Sequence, residues 1–343
     1  MRRRVAVLIL TVAVIPALSA TPAADATYRG RPGRLAYASA EAPADQNQHS
    51  VADIYTRKYN GAGIRRLTKT RRFSDRDPSW SPDGTEIVWS CHGHWTDVDP
   101  FYVADICTMD ADGSDKVRFG FDTSVLMPEF SPDGSQIAYL TDGPVQDAPA
   151  QPTDELWVMD RDGSNRRQVT TNTFSETALS WSPAGDEIAF VSWDARAGVG
   201  QLHVVNVATG AERMIATDVE GRRHYHGLSA SYVDWAPHGE SIVFLRSPDG
   251  DDSVDLFLFD LKDLTEQQLT DEGGEYNLGP AWSPDGTSIV YRHASEGTHP
   301  EWGSAHFCRL TLPISEPRRT HHPTHCPLHR VVEQDYSWQA KES

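Results

Sequence analysis

The chain has 343 residues, is 38% hydrophobic and 23% charged, and carries a formal charge of −18. An acidic surface of this strength repels nucleic acid and anionic lipid, so neither is expected as a partner. Acidity is compatible with cations, a basic partner or neutral ligands, and by itself selects none of them.

Residues 1–26 read as a secretory signal: Arg2, Arg3 and Arg4 form a basic start, Val5 to Leu18 an apolar run, and small residues follow up to Ala26. The run is too short for a membrane span. The remaining chain, 27–343, then carries −20 and is expected outside the cytoplasm, secreted or in the cell envelope, with no membrane span. Arginines number 26 against 5 lysines, which suggests a high-GC bacterial source.

The next segments already have strand character: Arg34 to Ala38, Asp53 to Thr56 and Arg66 to Thr68 are short β-branched or aromatic runs. A phrase then begins to repeat, as Trp80-Ser81-Pro82-Asp83-Gly84, Phe130-Ser131-Pro132-Asp133-Gly134, Trp181-Ser182-Pro183-Ala184-Gly185, Trp235-Ala236-Pro237-His238-Gly239 and Trp282-Ser283-Pro284-Asp285-Gly286. Its steps are 50, 51, 54 and 47 residues, which suit a propeller blade and are too long for a tetratricopeptide or ankyrin repeat. One unit is clearest. Leu126 to Phe130 is a strand, Ser131 to Gly134 a tight turn, and Gln136 to Leu140 and Glu155 to Met159 are two further strands. Asp160 to Gly163 is a second turn, and Arg167 to Thr170 is the fourth strand. Met109 to Gly113, Asn206 to Gly210 and Asp260 to Leu264 occupy the place of that second turn in other units. Ser247 to Gly250 copies the phrase but falls inside a unit, as a loop. Pro313 to Leu328, rich in Pro, Arg and His, reads as an enlarged turn in the last blade.

The N-terminal unit lacks a first strand, and Asp335 to Trp338 matches Asp77 to Trp80 where the chain stops. The fold predicted is all-β: a six-bladed propeller of four-stranded antiparallel blades, closed by the C-terminal strand joining the N-terminal blade. One domain over 27–343 suffices. The recurring Trp or Phe is expected to fill the gap between neighbouring blades.

Cys91, Cys107, Cys308 and Cys326 are an even set in an exported chain and predict disulfides, with three pairings open. Cys91 with Cys107 is favoured because both lie on neighbouring strands of one hairpin, which leaves Cys308 with Cys326. No C-x-x-C pair supports a thiolate metal site.

The two turn phrases, recurring in order from about Arg34 to Trp338, resemble the TolB-type propeller repeat: an aromatic with Ser-Pro-Asp-Gly, an Ile-Ala-Phe-like strand, then Met-Asp-Ala-Asp-Gly before an Arg-Leu-Thr-like strand. The resemblance implies a periplasmic type of protein in which an α/β domain precedes the propeller. Only Thr27 to Gly33 separate the signal from the first strand, so that domain is not expected here, nor is a role in a Tol-type envelope machine. The propeller also resembles the gating domain of prolyl oligopeptidase-family peptidases, but the chain has no G-x-S-x-G phrase, so peptidase activity is not expected.

With the first strand of each blade running from top to bottom, both tight turns fall on the bottom face. The connections that vary, Cys91 to Tyr102, Thr141 to Asp154, Trp193 to Gly200, Ser247 to Ser253 and Ala294 to Ser304, fall on the top, where binding is to be sought. Two histidine pairs there suit a divalent metal such as zinc or manganese: His92 and His94, with Asp97 and Asp99 nearby, and His224 and His226 around Tyr225. Propeller lyases that act on uronate sugars are similar in using His-rich metal sites on this scaffold. A third constellation stands where innermost strands begin and is expected to rim the channel: Asp75, Arg76, Asp77, Glu176, Glu275, Tyr276 with Asn277, Glu333 and Asp335. Trp95, Trp193, Trp302 and Tyr225 are available as anchors.

No nucleophile, acid and base pair or cofactor phrase can be assigned. The sequence therefore predicts a secreted, monomeric, non-enzymatic binding propeller that engages a protein, peptide or polysaccharide through its top-face loops. The alternative is a metal-dependent carbohydrate lyase or hydrolase with His224 and His226 as ligands.

Overall fold

The structure is a computed structural model that describes residues 31–40, 51–58, 62–70, 73–95, 102–121, 123–142, 154–194, 199–219, 233–246, 254–271, 275–295, 306–313 and 333–341. Every regular element among them is a strand, and no helix there is long and apolar enough to cross a membrane. Blade one holds β1 (Arg31–Ala40), β2 (Ala52–Lys58) and β3 (Arg65–Arg66). Blade two holds β4 (Ser74–Trp80), β5 (Glu86–Trp95), β6 (Tyr102–Asp110) and β7 (Val117–Phe119). Blade three holds β8 (Val125–Phe130), β9 (Gln136–Asp142), β10 (Asp154–Asp160) and β11 (Arg167–Gln168). Blade four holds β12 (Ser175–Trp181), β13 (Glu187–Asp194), β14 (Val199–Asn206) and β15 (Glu212–Val219). Blade five holds β16 (Val233–Trp235), β17 (Ser241–Arg246), β18 (Asp255–Asp260) and β19 (Thr265–Gln268). Blade six holds β20 (Glu275–Trp282), β21 (Ser288–Ser295) and β22 (His306–Thr311), three strands within the described residues.

The last strand, β23 (Glu333–Lys341), lies beside β1 in the order β23-β1-β2-β3, with Trp338 opposite Leu35. The C-terminus thus supplies the innermost strand of the first blade, as the matching phrases predict, and no blade edge is left open around the ring. Trp80, Phe130, Trp181, Trp235 and Trp282 are all buried. Each belongs to an apolar cluster shared by two blades: Trp181 packs with Leu156 and Val158 of blade three, and Trp80 with Ile54 and Ala38 of blade one. Burying a side chain such as Phe130 contributes roughly 1.5–3 kcal/mol, so the repeated aromatic is the main adhesive between blades.

Both repeated turns lie at the same end of the sheets, because every pairing within a blade is antiparallel. In the first turn Gly134 takes φ +70° and its N–H donates to Ser131 O at 2.8 Å, while Ser131 N returns to Gln136 O at 2.9 Å. Asp133 accepts from Ser131 Oγ at 2.6 Å and from Ser135 N at 2.9 Å. Asp83 and Asp285 repeat this pattern with Ser81 and Ser283. Although burial alone would raise these three carboxyls, the hydrogen bonds from the neighbouring Ser and Thr hydroxyls and N–H groups hold them below the usual range.

The phrase does a second job that its turn chemistry does not announce. A Cβ on Gly134 would meet the Pro82 ring of the preceding blade at 3.4 Å, and one on Gly163 would lie 2.5 Å from Phe119 of the preceding outer strand. Glycine in each turn lets the neighbouring blade seat directly on the backbone.

One boundary differs from the sequence reading. β5 runs on through Cys91 to Trp95, pairing across a bulge with Tyr102 and Val103, where a loop was expected from Cys91 onward. The Cys91–Cys107 disulfide bridges β5 and β6 just before that bulge. Cys308 is also disulfide-bonded, and no described cysteine is free; Cys326 lies outside the described residues. Residues 1–26, the Ser247 to Gly250 phrase and the stretch from 314 to Leu328 lie outside them as well.

Candidate functional site

The top of each blade is built around the start of its third strand. In blade one Ile54 N donates to Thr68 Oγ1 at 2.9 Å, and Thr68 lies 3.3 Å from Asp53 Oδ1. Blade three repeats this with Leu156 N to Thr170 Oγ1 at 2.9 Å and Thr170 Oγ1 to Glu155 Oε2 at 2.8 Å. Blade five repeats it with Leu256 N to Thr270 Oγ1 at 3.0 Å and Thr270 Oγ1 to Asp255 Oδ1 at 2.7 Å. In these three blades the threonine that ends the outer run thus satisfies a strand N–H that would otherwise lie buried, and anchors an acid beside it. In blade two Gly120 stands in the threonine's place, and Asp105 instead accepts from Phe121 N at 2.9 Å and Arg118 Nε at 2.7 Å.

The chain then crosses to the innermost strand of the next blade. The residue five before the aromatic is Asp75, Val125, Glu176 and Asn277 at the four crossings where its side chain is described. All four are buried. Asn277 closes its junction, donating from Nδ2 to Asp255 Oδ1 at 3.2 Å and to Thr270 Oγ1 at 3.3 Å, while His293 Nδ1 lies 3.0 Å from Asn277 Oδ1. Because the amide nitrogen is already the donor, its oxygen accepts, and the proton of His293 sits on Nδ1. Glu176 accepts from Asn172 Nδ2 at 2.6 Å. Burial and then the Glu155 carboxylate push its carboxyl up to about 9.

Below these junctions the innermost strands bulge. Asp77, Met127 and Gly279, each three before its aromatic, have φ of 50°, 51° and 58°, and the register slips beside each of them. The innermost strand turns one edge to the channel, and side chains of one blade hold edge N–H groups of the next. Asp77 Oδ2 accepts from Met127 N at 3.3 Å, Ser180 Oγ from Trp235 N at 3.1 Å, and Asp234 Oδ2 from Trp282 N at 2.6 Å. Removal from water raises the Asp234 carboxyl to about 7, against those hydrogen bonds. These contacts fasten the channel wall and are structural in the first instance.

Of the residues expected at the rim, Asp75 and Glu176 are buried at the junctions, and Arg76 and Asp77 sit on β4 at its bulge. Glu275, Tyr276, Glu333 and Asp335 are strand positions of β20 and β23 whose side chains lie outside the described residues. Of the expected metal ligands, His92 and His94 lie on β5 with side chains outside the described residues, and His224 and His226 lie outside them altogether. Trp95, Trp302 and Tyr225 are likewise not described at side-chain level, whereas Trp193 is half-buried at the top of β13. Among the described residues no group of three or more His, Cys, Asp or Glu is placed to hold a metal. Sequence reasoning missed the acid and threonine pairs, though the signal was present: the two stand 15 residues apart in blades one, three and five.

Residues 144–300 match the TolB β-propeller domain. No curated protein sequence matches the chain. Among solved structures the chain is similar to TolB from Acinetobacter baumannii (18% identity, 90% of this chain and 67% of that one, TM-score 0.58). It is also similar to a putative TolB from Agrobacterium tumefaciens (15%, 90% and 98%, 0.58). A third likeness is to an oligogalacturonate lyase from Vibrio parahaemolyticus (14%, 77% and 73%, 0.52). At these identities the likenesses establish the fold alone. With its recurring turn phrases, its six blades and the match of residues 144–300 to the TolB β-propeller domain, the chain has a TolB-like six-bladed β-propeller fold.

Proposed function

We propose that this protein is an extracytoplasmic, non-enzymatic binding propeller that engages a protein, peptide or polysaccharide through its top face. The observation that carries the reading is the contrast between the two ends of the blades. At the bottom the same turn recurs, and its carboxylates are occupied by their own Ser and Thr neighbours. At the top, the four described crossings place Asp75, Val125, Glu176 and Asn277 at the junctions, and the connections differ in length. A surface that varies on a repeating frame is where a propeller carries specificity.

Export rests on the basic and apolar segment of 1–26 and on the Cys91–Cys107 disulfide, which belongs to an oxidising compartment. Arg76, Asp77, Glu275, Tyr276, Glu333 and Asp335 are proposed as the rim that a basic or hydrogen-bonding ligand meets, on a monomer, with Asp75 and Glu176 buried at the junctions. Purified protein applied to peptide and polysaccharide arrays should bind a defined ligand class, and Arg76→Ala with Asp335→Ala should weaken it. Unchanged retention by that pair counts against the rim.

The second reading is a carbohydrate lyase or hydrolase with a divalent metal on His92, His94, His224 and His226. Its support is the shared fold of the Vibrio oligogalacturonate lyase and the two histidine pairs in the sequence. Release of an unsaturated product from oligogalacturonate in the presence of Mn2+ would favour it over binding alone. Protein purified without chelator and found free of transition metal would count against it.

A further inference from the structure

We propose that the junction between blades three and four is a binding site for a hard divalent cation, Ca2+, held by the carboxylates of Glu155 and Glu176 and the hydroxyls of Thr170 and Ser192. Four positions recur at two junctions: Glu155, Thr170, Glu176 and Ser192 at the first, and Asp255, Thr270, Asn277 and His293 at the junction between blades five and six. Glu176 stands opposite Ser192 in the β12–β13 ladder as Asn277 stands opposite His293 in the β20–β21 ladder. Directly opposed residues of an antiparallel pair project from the same face, so both members point into the junction.

At the second junction the set is closed by its own hydrogen bonds, with an amide between the acid and the imidazole. At the first, the amide is replaced by a second carboxylate, and the imidazole by a side chain several atoms shorter. Ser192 is 1% exposed, and its Oγ has no hydrogen-bond partner among the described residues. Such a buried hydroxyl calls for a further group in the junction. A water would satisfy the hydroxyl alone. A divalent cation accepts the hydroxyl oxygen and balances both carboxylates at once.

The donors are all oxygen, with no nitrogen or sulfur among them, which selects a hard ion. Ca2+ tolerates irregular sets of 6–8 oxygens, whereas Mg2+ demands a near-ideal octahedron. The site uses two carboxylates with neutral hydroxyls, and shares no residue with the histidine pairs. Asn172, which donates to Glu176 and whose Oδ1 accepts from Phe174 N at 2.8 Å, ties the ion to the crossing between blades. Bound Ca2+ would therefore stiffen one edge of the top face.

The test is titration of chelator-treated full-length protein with CaCl2, followed by calorimetry and by thermal unfolding. Wild type should bind a single ion and unfold several degrees higher at a hundredfold excess over Kd. Glu176→Gln should abolish binding and Ser192→Ala should weaken it at least about tenfold, a change of about 1.4 kcal/mol. The double variant Glu176→Asn with Ser192→His copies the closed junction and should fold without binding Ca2+, which keeps the test decisive where Glu176→Gln fails to fold. Asp112→Asn, on the bottom face, should bind as wild type does. The proposal is overturned if wild type takes up no Ca2+, or if the folded junction variants bind it as tightly as wild type.

Discussion

The junction between blades five and six and the one between blades three and four are built on the same frame and end in opposite states. In the former, Asp255, Thr270, Asn277 and His293 share their hydrogen bonds in one chain. In the latter, Glu155 and Glu176 bring two acids to one buried place, and Ser192 keeps an unused hydroxyl. The equivalent positions differ in three places: Asp255 against Glu155, amide against acid at Asn277 and Glu176, and imidazole against hydroxyl at His293 and Ser192. A propeller can therefore change what a junction accepts without changing how its blades pack.

The most damaging way to break this comparison is Asn277→Glu, which sets a second acid beside buried Asp255 in a junction that the His293 ring already fills. It should cost roughly 3–5 kcal/mol in urea unfolding, as for an uncompensated buried charge. A second effect reads the channel wall. The Asp234 carboxyl rises to about 7 in the folded protein from an ordinary value near 3.8. Between those values the folded state binds the extra proton, so this group's contribution to stability is full below pH ~4 and is lost as pH rises through about 7. Asp234→Asn keeps an acceptor for Trp282 N–H and should remove that decline, a difference on the order of a few kcal/mol at the alkaline end. Denaturation curves collected across this range would show it as a flattened profile.

Smaller effects sharpen the comparison. Thr270→Val leaves Leu256 N and Asp255 without their hydroxyl partner and should cost about 1–3 kcal/mol; Thr170→Val should cost a similar amount in blade three. Equal losses would establish that the frame is shared and that only its occupants differ. Ser192→Ala removes a hydroxyl that has no partner among the described residues. In cation-free buffer it should change stability by no more than about 0.5 kcal/mol, in contrast to either threonine.

The frame was legible in the sequence because the blade repeats its needs. Each copy requires an aromatic between sheets and a turn with φ > 0, so Trp80, Gly134 and their counterparts recur visibly, and even the displaced strand around Trp338 can be recovered. The packing of Pro82 on Gly134 was not legible, since it joins residues of different blades whose distance spacing does not give. The junctions were half legible. Glu176 stood out as an acid at the start of an innermost strand, but Glu155 comes from the preceding blade, and Ser192 faces it through a hairpin register that spacing does not give. The same limit applies to the two histidine pairs, which stand about 130 residues apart in the chain.

The central claim is that the varying top face, rather than the repeating bottom face, carries recognition. The most direct measurement compares, on one peptide and polysaccharide array, wild type with the top-rim variant Arg76→Ala/Asp335→Ala and the bottom-turn variant Asp112→Ala/Asp162→Ala, all three confirmed as folded. Loss of the bound class in the top-rim variant alone is the result predicted here. Binding that survives the top-rim change and disappears with the bottom-turn change would contradict it.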